Sequence, residues 1–428
     1  MKSILNSAKK EATPPKKLQE KKMRIAKKAC DLIEQTIEKH PQIVGFELGG
    51  SYAKGTWLAE KADIDVFVKF NKKTSENDFA DLGTKIGFQS LKKYKPYTRY
   101  AEHPFVEAVI DGTKVNIVPC YDVNKGEWQS ATDRSIYHTK FMSKKLSNSM
   151  KEEVRILKKF FHHIGVYGAE IAKEGFSGYV SEVLISYFGS FEKTIKKISE
   201  LKKGQVIGKS GKKFDSYVVI IDPVDSNRNL GTAISVDNLG KFVLASRAFL
   251  KKPSKKFFKK PTSKRSMKNT DKIVVVQFGF KERSDDIIWG QIKRASNALK
   301  TQLELGGFSV LRNSAVKDES GNAALIFLLH AKKIENSLVR SGPEISSKEH
   351  CDKFISANLK KSQLMWINDE GKMQSLQKRK YSDVKLFLRD ILKNNLKNSG
   401  IPKGLETVSY THLRAHETEA DIVCRLLL

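Results

Sequence analysis

Residues 49–70 read GGSYAKGTWLAEKADIDVFVKF, and this stretch decides the fold of the first part of the chain. Gly49, Gly50 and Ser51 fit a turn from a strand into a helix, where backbone N–H groups and a hydroxyl face an anion. The alternation in DIDVFVKF predicts a strand, because apolar side chains at every second position line one face of a sheet. Strand, glycine turn, short helix and strand indicate a mixed α/β domain.

Asp63 and Asp65 lie two residues apart on the predicted strand, so their carboxylates project from one face. Such a pair can share divalent metal ions, because Mg²⁺ prefers a few carboxylate oxygens together with water and substrate phosphate. Two ions held this way activate an attacking hydroxyl and stabilise a leaving pyrophosphate. Alone, the glycines fit an ordinary turn and the aspartates an exposed strand face. Together they predict nucleotidyl transfer, with a triphosphate at Gly50 and Ser51.

The composition favours a polyanionic partner. The 428 residues include 78 Lys and Arg against 48 Asp and Glu, a formal net charge of +30, and 39% are hydrophobic. This length predicts two or three domains with packed cores beneath a basic surface. Nucleic acid fits the charge better than an anionic membrane. Four scattered cysteines and no apolar stretch of membrane-spanning length predict a soluble protein in a reducing, cytoplasmic compartment.

The pattern along the chain predicts an α+β multidomain protein. We expect a basic N-terminal arm (1–24), a catalytic α/β domain (25–146), a helical domain (147–250), a basic linker or loop (251–270) and an α+β region (271–407). The last of these shows strand, helix, strand, strand and a later helix, which is typical of a ferredoxin-like or RRM-like region. In the linker, Phe257 and Phe258 could stack on bases or anchor the segment, and its lysines could contact phosphate or simply be solvated.

The end of the chain differs in character from the rest. Residues 408–418 read VSYTHLRAHET, which resembles the translation of a transposon-end adaptor used in sequencing libraries. We therefore interpret 408–428 as non-native read-through and exclude it from fold reasoning.

Short motifs across the first half of the chain define a family resemblance. They are GGSYAKGTW, DIDVFVKF, YAEHPFVEA, VNIVPCY, DRSIYHTKF, EVRILKKFF, GVYGAE, GFSGYVSEVLI and DPVDSNRNL. Together they resemble the archaeal, class I CCA-adding enzymes, CTP/ATP tRNA nucleotidyltransferases of the polymerase-beta superfamily. The similarity is close over 25–250 and looser to 407. It implies a polymerase-beta-like palm, a helical central domain, and template-independent addition of CCA to tRNA 3′ ends with Mg²⁺.

The resemblance also implies roles for single residues. Ser51 and Lys54 would contact the nucleotide, with Lys54 standing where the family usually has Arg, so that a point charge replaces a bidentate fork. Asp63 and Asp65 would be the metal ligands. The incoming nucleotide would be held by His138, Lys158 and Tyr167, and its base edge read by Arg228.

The residues alone leave other interpretations of these positions open. His138 fits an ordinary surface histidine, and Lys158 an exposed lysine on a helix. Tyr167 fits core packing with its hydroxyl satisfied. Arg228 follows Asp222 and Asp225, so a structural ion pair also accounts for it.

One residue departs from the family pattern. The third catalytic carboxylate belongs in KVNIVPCY, where this chain has Asn116, whose amide oxygen can ligate Mg²⁺ but carries no charge. If Asp111 and Gly112 form a two-residue turn, Glu107 lies opposite Asn116 and could substitute for the missing carboxylate. A single-base error is another explanation, because Asn and Asp codons differ by one base.

Three functions therefore stay open at this point. The first is CCA addition, with CTP, ATP and the 3′ end and acceptor/T arm of tRNA as partners and no membrane; a homodimer is left open. The second is a poly(A) polymerase or another RNA terminal nucleotidyltransferase. The third is a catalytically impaired tRNA-binding homologue, which Asn116 would explain.

Overall fold

The computed structural model describes residues 1–60, 62–100, 103–259, 272–281, 283–394, 396–402, 405 and 410–414. It divides into two compact units, one formed by Met1–Thr262 with Ser284–Asp286, the other by Ser263–Arg283 with Ile287–Leu428. Each unit has its own hydrophobic core. Within the described ranges, no helix has the length and apolar character needed to cross a membrane.

The basic N-terminal segment is helical, which replaces the arm expected over 1–24. Helices α1 (Lys2–Ala12) and α2 (Lys16–Ile37) are separated by a short break at Pro14 and Pro15, where proline cannot continue the first helix but starts the second. In α1 the apolar residues recur at helical spacing among the lysines, and Leu5 and Ala8 pack into the core of the later helices. The many lysines of this segment had obscured the apolar face of α1 in the sequence pattern.

Five strands form the sheet of the first unit in the order β1-β2-β5-β4-β3. They are β1 (Ile43–Gly49), β2 (Ile64–Asn71), β3 (Tyr97–Tyr100), β4 (Pro104–Ile110) and β5 (Thr113–Asp122). Strands β2 and β5 run parallel, whereas the other neighbours are antiparallel. Helix α3 (Gly50–Lys54) connects β1 to β2, so the predicted strand, glycine turn, helix and strand are confirmed. Helices α2 and α4 (Glu76–Leu91) contribute Ile33 and Phe79 to the core beside the strands.

The β4–β5 hairpin has the predicted register. Asp111 and Gly112 have φ angles of 47° and 72°, as a two-residue primed turn requires. Pairing outward from this turn places Glu107 opposite Asn116. The short Asp-Gly signal therefore predicted which residues share a face four positions away from the turn.

Helices surround the core of the rest of the first unit. They are α5 (Asp133–Lys145), α6 (Asn148–His163), α7 (Gly178–Phe188), α8 (Phe191–Ser199) and α9 (Val236–Lys251). Strand β7 (Val218–Ile220) lies among these helices and pairs in parallel with β6 (Gln205–Ile207), a strand too short to be signalled by its sequence. Phenylalanine dominates the core, with Phe160, Phe161 and Phe242 fully buried.

The two phenylalanines of the basic linker act as anchors. Phe257 and Phe258 lie with ring centroids 5.7 and 6.1 Å from that of Phe160, inside the helical core. Phe258 is buried and Phe257 is partly buried in this packing, which supports the anchoring interpretation. The remainder of the lysine-rich stretch, 260–271, lies outside the described residues.

The second unit contains two sheets. Its larger sheet has the order β14-β8-β10-β9, built from β8 (Ile273–Gly279), α10 (Asp285–Leu305), β9 (Val310–Lys317) and β10 (Asn322–Leu329), with β14 (Tyr410–Arg414) at the edge. This is the fourth-first-third-second order of a ferredoxin-like sheet. Strand β14 falls in the segment that we interpret as read-through.

The smaller sheet of the second unit was not foreseen. It consists of β11 (Ser337–Glu344), β12 (Ser362–Ile367) and β13 (Lys372–Lys378) in the order β11-β13-β12, followed by α12 (Val384–Asn394). Helix α11 (Lys348–Asn358) lies between β11 and β12 in the chain. Strands β11 and β12 are largely exposed, and the buried positions of β13 include Gln374, Ser375 and Gln377, so these strands lack the apolar alternation that reveals a half-buried strand.

Candidate active site

Three polar side chains stand next to one another on neighbouring strands of the first sheet. Asp65 on β2 pairs with Asn116 on β5, and Asn116 pairs in turn with Glu107 on β4. The Asn116 amide Nδ2 donates a hydrogen bond of 2.8 Å to Oδ1 of Asp65. Asp63 precedes β2 by one residue. The DxD motif and the position of the absent third carboxylate are thus adjacent in space.

The environment of Asp65 disfavours a second negative charge when no cation is present. Burial raises the pKa of Asp65, and the neighbouring carboxylate of Asp63 raises it further, against the opposing hydrogen bond from Asn116. Asn116 is buried, and its amide oxygen Oδ1 has no hydrogen-bond partner among the described residues. Two carboxylates and one unsatisfied amide oxygen form a set of hard oxygen donors, which fits a divalent cation of the Mg²⁺ type.

Glu107 has the predicted position but its carboxylate is engaged elsewhere. It accepts a hydrogen bond from the Tyr97 hydroxyl and forms an ion pair of 3.0 Å with Lys114. Burial raises the pKa of Glu107, but these two partners outweigh burial and bring it below its ordinary value. Across the described ranges, no cluster of three or more His, Cys, Asp or Glu side chains is arranged to hold a metal ion. The geometry therefore argues against Glu107 as a substitute third ligand.

The glycine turn fits directly against the acidic pair. Gly50 has φ +66°, and a Cβ there would lie 1.8 Å from Oδ2 of Asp65. A Cβ on Gly49 would lie 2.3 Å from the ring of Phe67. Both positions therefore require glycine for steric reasons, and Gly50 requires it for its backbone conformation as well. Ser51 follows in the first turn of α3 and is half-buried.

Both lysines expected to contact the nucleotide are buried against one acid. Lys54 Nζ lies 2.6 Å from Oε2 of Glu182, and Lys158 Nζ lies 3.4 Å from Oε1 of the same carboxylate. Lys158 also donates to the Thr56 carbonyl at 3.0 Å. The interpretation of Lys158 as an exposed surface lysine is wrong, since its side chain is 2% exposed. Lys54 and Lys158 come from different helices and meet at Glu182.

Charge and burial oppose each other in this group. Burial lowers the pKa of Lys158 to about 8, although the carboxylate of Glu182 acts in the opposite direction. Burial by itself raises the pKa of Glu182, but the two ammonium groups outweigh it and the pKa lies below its ordinary value. Glu182 is therefore ionised at neutral pH and holds two cations.

A second buried carboxylate, Asp222, orients His138. Nε2 of His138 lies 2.8 Å from Oδ2 of Asp222, while the Tyr179 hydroxyl donates to Oδ1 at 3.0 Å. The rings of His138 and Tyr179 are stacked with centroids 4.0 Å apart. Burial lowers the pKa of His138, so its imidazole is neutral at pH 7. The interpretation of His138 as an ordinary surface histidine is therefore wrong.

Arg228 joins the same group through an ion pair. Its Nη1 donates to Oδ2 of Asp222 at 3.1 Å, and its side chain is 45% exposed. The structural ion pair considered for Arg228 is therefore present, and it involves Asp222. Asp225 instead pairs with Arg134 at 3.1 Å. The pair places Arg228 beside His138.

Tyr167 lies next to the lysine group. A Cβ on Gly178 would lie 2.9 Å from the Tyr167 hydroxyl and 3.4 Å from Cε of Lys158, so the glycine makes room for both side chains. The Tyr167 ring stacks on His162 with centroids 4.0 Å apart. Burial raises the pKa of Tyr167 to about 12, so its hydroxyl keeps its proton. The ring of Tyr167 is therefore packed against other side chains, as the alternative interpretation of this residue expected.

Sequence reasoning missed the residues that hold these side chains in place. Glu182 and Tyr179 had no assigned role, and Asp222 was considered only as an ion-pair partner of Arg228, although all three occur within the family motifs. The available signal was a single acid in the otherwise apolar helix GYVSEVLISYF, because a lone buried carboxylate requires cationic or hydrogen-bonding partners.

The fold and this group of residues define a nucleotidyltransferase. A family model described as "Nucleotidyltransferase domain" matches 29–141, and "tRNA nucleotidyltransferase, second domain" matches 152–259. The model "CCA-adding enzyme, C-terminal domain" matches 269–408, ending where the adaptor-like segment begins.

Curated relatives carry the identification further. The chain is 36% identical over 358 residues to a CCA-adding enzyme of Saccharolobus shibatae, covering 83% of this chain and 85% of the relative. It is 32% identical over 361 residues to that of Methanothermobacter thermautotrophicus, with coverages of 81% and 78%. For Pyrobaculum islandicum the identity is 32% over 397 residues, with coverages of 92% and 94%. The chain belongs to the family of CCA-adding enzymes.

Proposed function

We propose that this enzyme completes the 3′ end of tRNA by adding CCA from CTP and ATP without a nucleic-acid template. The observation that supports this most directly is the row of Asp65 and Asn116, with Asp63 at its edge, packed against the Gly50 turn. A triphosphate at that turn would have its reacting phosphorus beside the acidic pair. Membership of the CCA-adding family supports tRNA as the acceptor.

Asp63, Asp65 and the amide oxygen of Asn116 would hold the divalent metal, Mg²⁺ in this proposal. When bound, the metal supplies activation of the tRNA 3′-hydroxyl and charge stabilisation of the departing pyrophosphate. Gly50 keeps the turn close to Asp65, and Ser51 offers its hydroxyl to the triphosphate. Asn116 holds the Asp65 carboxylate in place by its hydrogen bond.

The residues around the nucleotide divide the remaining work. Lys54 and Lys158 supply positive charge for the phosphates. The Tyr167 hydroxyl lies near Lys158 and donates a hydrogen bond to the nucleotide in this proposal. Because His138 is neutral, it contacts the nucleotide through hydrogen bonding rather than through charge. Asp222 engages Nη1 of Arg228, which leaves further guanidinium N–H groups for the edge of a base.

The basic surface would bind the tRNA. The formal net charge of +30 suits an RNA backbone, and we assign the acceptor/T arm to the C-terminal region and to the lysines of 251–270. The same proposal places the enzyme in the cytoplasm, a compartment consistent with the free thiols of Cys30, Cys120 and Cys351.

Incubation with tRNA lacking CCA tests this function. With CTP and ATP together we expect addition of two C residues and then one A, and with CTP alone we expect addition to stop after the C residues. Gel separation of the products with single-nucleotide resolution measures this. Long A tails from ATP alone would identify a poly(A) polymerase instead, and tRNA binding without incorporation would identify an impaired homologue.

Asn116→Asp is expected to strengthen the metal site. A third carboxylate increases repulsion within the acidic group when metal is absent and increases affinity when it is present. Incorporation at limiting Mg²⁺ should therefore rise by about tenfold or more. Thermal unfolding should also show a larger rise in Tm with added Mg²⁺ than in the parent protein.

Asn71→Asp is the matched control for that change. It adds the same charge at the exposed far end of β2, where the side chain of Asn71 accepts a hydrogen bond from the backbone N–H of Lys73. Neither the Mg²⁺ dependence nor the Tm shift should change in this variant. If Asn116→Asp behaves like Asn71→Asp, position 116 does not contribute to the metal site.

A further inference from the structure

Glu182 lies at the meeting point of the sheet domain and the helices. Glu182 is 0% exposed, and its carboxylate contacts the ammonium groups of Lys54 and Lys158. The Thr56 hydroxyl donates to Oε1 of the same carboxylate. Lys54 and Thr56 lie at the end of α3 and just after it, whereas Lys158 lies on α6 and Glu182 on α7. One buried carboxylate thus joins three separate segments.

Burying a group of charges such as this one costs folding free energy, so its presence calls for a functional explanation. Replacing buried ion pairs by apolar residues of similar size is often neutral or stabilising, because removing charges from water is expensive. Here one negative charge faces two positive charges, so the group keeps an unneutralised positive charge. That surplus suits an anion arriving from solution better than it suits a purely structural contact.

We propose that Glu182 is a positioning residue for the nucleotide, holding the ammonium groups of Lys54 and Lys158 side by side so that both face the phosphates of CTP or ATP. This inference rests on the nucleotide-binding role proposed above for the two lysines. Glu182 itself does not contact the nucleotide. It acts through the distance between the two ammonium groups and through their charge.

The surroundings of Lys158 explain why the carboxylate is needed. The groups that face it are Lys54 from α3, Arg155 from its own helix, Glu182 from α7 and the Tyr167 hydroxyl. Lys54 and Arg155 add to the effect of burial and lower the pKa of Lys158, whereas Glu182 raises it. Loss of the carboxylate would therefore leave Lys158 neutral near physiological pH.

Glu182→Gln tests the proposal, because glutamine keeps the size of the side chain and an acceptor for Thr56. The KM for CTP and ATP should rise by about tenfold or more, since one charged contact to phosphate is lost. The KM for tRNA should stay within about twofold, because the variant leaves the distributed basic surface intact. The alkaline limb of kcat/KM for the nucleotide should move to lower pH by about 1 to 3 units.

Glu153→Gln is the matched control. Glu153 lies on the same helix as Lys158, pairs with Lys9 at 2.7 Å and accepts a hydrogen bond from the backbone N–H of Phe191. Its loss should lower the Tm without changing the nucleotide KM or the pH profile. A parallel shift in both variants would show that loss of an ion-paired carboxylate acts through stability alone, and would overturn the proposal.

Two further variants separate this inference from the function it rests on. Lys158→Met should raise the nucleotide KM, and combining it with Glu182→Gln should add little, because both changes remove the same cation. If Lys158→Met alone leaves the nucleotide KM unchanged, the proposed role of Lys158 fails. If it raises the KM while Glu182→Gln changes neither KM nor pH profile, only the inference about Glu182 fails.

Glu182→Asp keeps the test decisive if Glu182→Gln does not fold. Aspartate retains the charge but is shorter by one methylene, so the alkaline limb should stay in place while the nucleotide KM rises. An unchanged nucleotide KM in this variant would contradict the positioning role. Circular dichroism melting of each variant confirms that the folded enzyme is the species assayed.

Discussion

Asp63→Ala and Asp65→Ala are each expected to reduce nucleotide incorporation by at least about 1,000-fold, the effect of losing several kcal/mol of charge stabilisation in the transition state. With Asn116 uncharged, the described residues of the site offer no third carboxylate to compensate, because Glu107 is engaged by Tyr97 and Lys114. Single-turnover incorporation of CMP into tRNA lacking CCA, at saturating enzyme, measures the chemical step directly.

tRNA binding should survive both substitutions. Its affinity depends on many dispersed lysines and arginines, and removing a carboxylate from a basic protein should strengthen phosphate contacts slightly, if it changes them at all. Asp122→Ala is the control, since this aspartate lies at the end of β5 in the same sheet and forms an exposed ion pair with Lys69. Parental turnover by either Asp63→Ala or Asp65→Ala would remove the acidic pair from the mechanism.

Gly50→Ala is expected to reduce kcat by about 100-fold or more while leaving the protein folded. The added Cβ would overlap Oδ2 of Asp65 at 1.8 Å, so either the turn or the carboxylate must move. A displacement of about 1 Å in a reacting group is enough for a loss of this size. The measurement is single-turnover incorporation over a range of Mg²⁺ concentrations, accompanied by thermal unfolding.

Gly112→Ala isolates the backbone contribution to that result. Gly112 also has a positive φ, +72°, but a Cβ there would meet nothing within 4 Å. Both alanines bear the conformational strain of this region, about 1 to 2 kcal/mol, yet only Gly50→Ala disturbs Asp65. Equal losses of activity in the two variants would mean that strain, and not the contact with Asp65, accounts for the effect.

The acidic pair and its surroundings could be predicted because their signals are local. The Asp-Gly turn fixes the hairpin register by counting outward, and DxD on a strand fixes a common face. Glu107 shows where this reasoning stops. Its place on the sheet followed from register, but the partners of its carboxylate come from β3 and from the far side of the turn. Which partner a long side chain reaches is decided by packing, which no short motif encodes.

The buried lysine group illustrates the same limit at longer range. Lys54 and Glu182 lie far apart in sequence, and a lysine in a short helix gives no sign that it will be enclosed. The prediction of a basic arm for the N-terminal segment was wrong for a different reason. Its lysines dominate the composition, whereas Leu5, Ala8 and Ala12 form a narrow apolar stripe, so a judgement made on charge overlooked the helix.

Helix α1 has a consequence for how the chain is assembled. It packs against α6 through Leu5 and Ala8, with Lys9 paired to Glu153, while the entire five-stranded sheet lies between these helices in sequence. The helical layer is therefore discontinuous along the chain, and the sheet domain is inserted into it. During synthesis, α1 leaves the ribosome before α6, so the contact between them forms only after α6 emerges, and forming that contact closes a long loop at an entropic cost. If the sheet folds early, it shortens this loop by bringing the ends of the loop together. Folding of the inserted sheet domain therefore determines when the helical domain can complete its core.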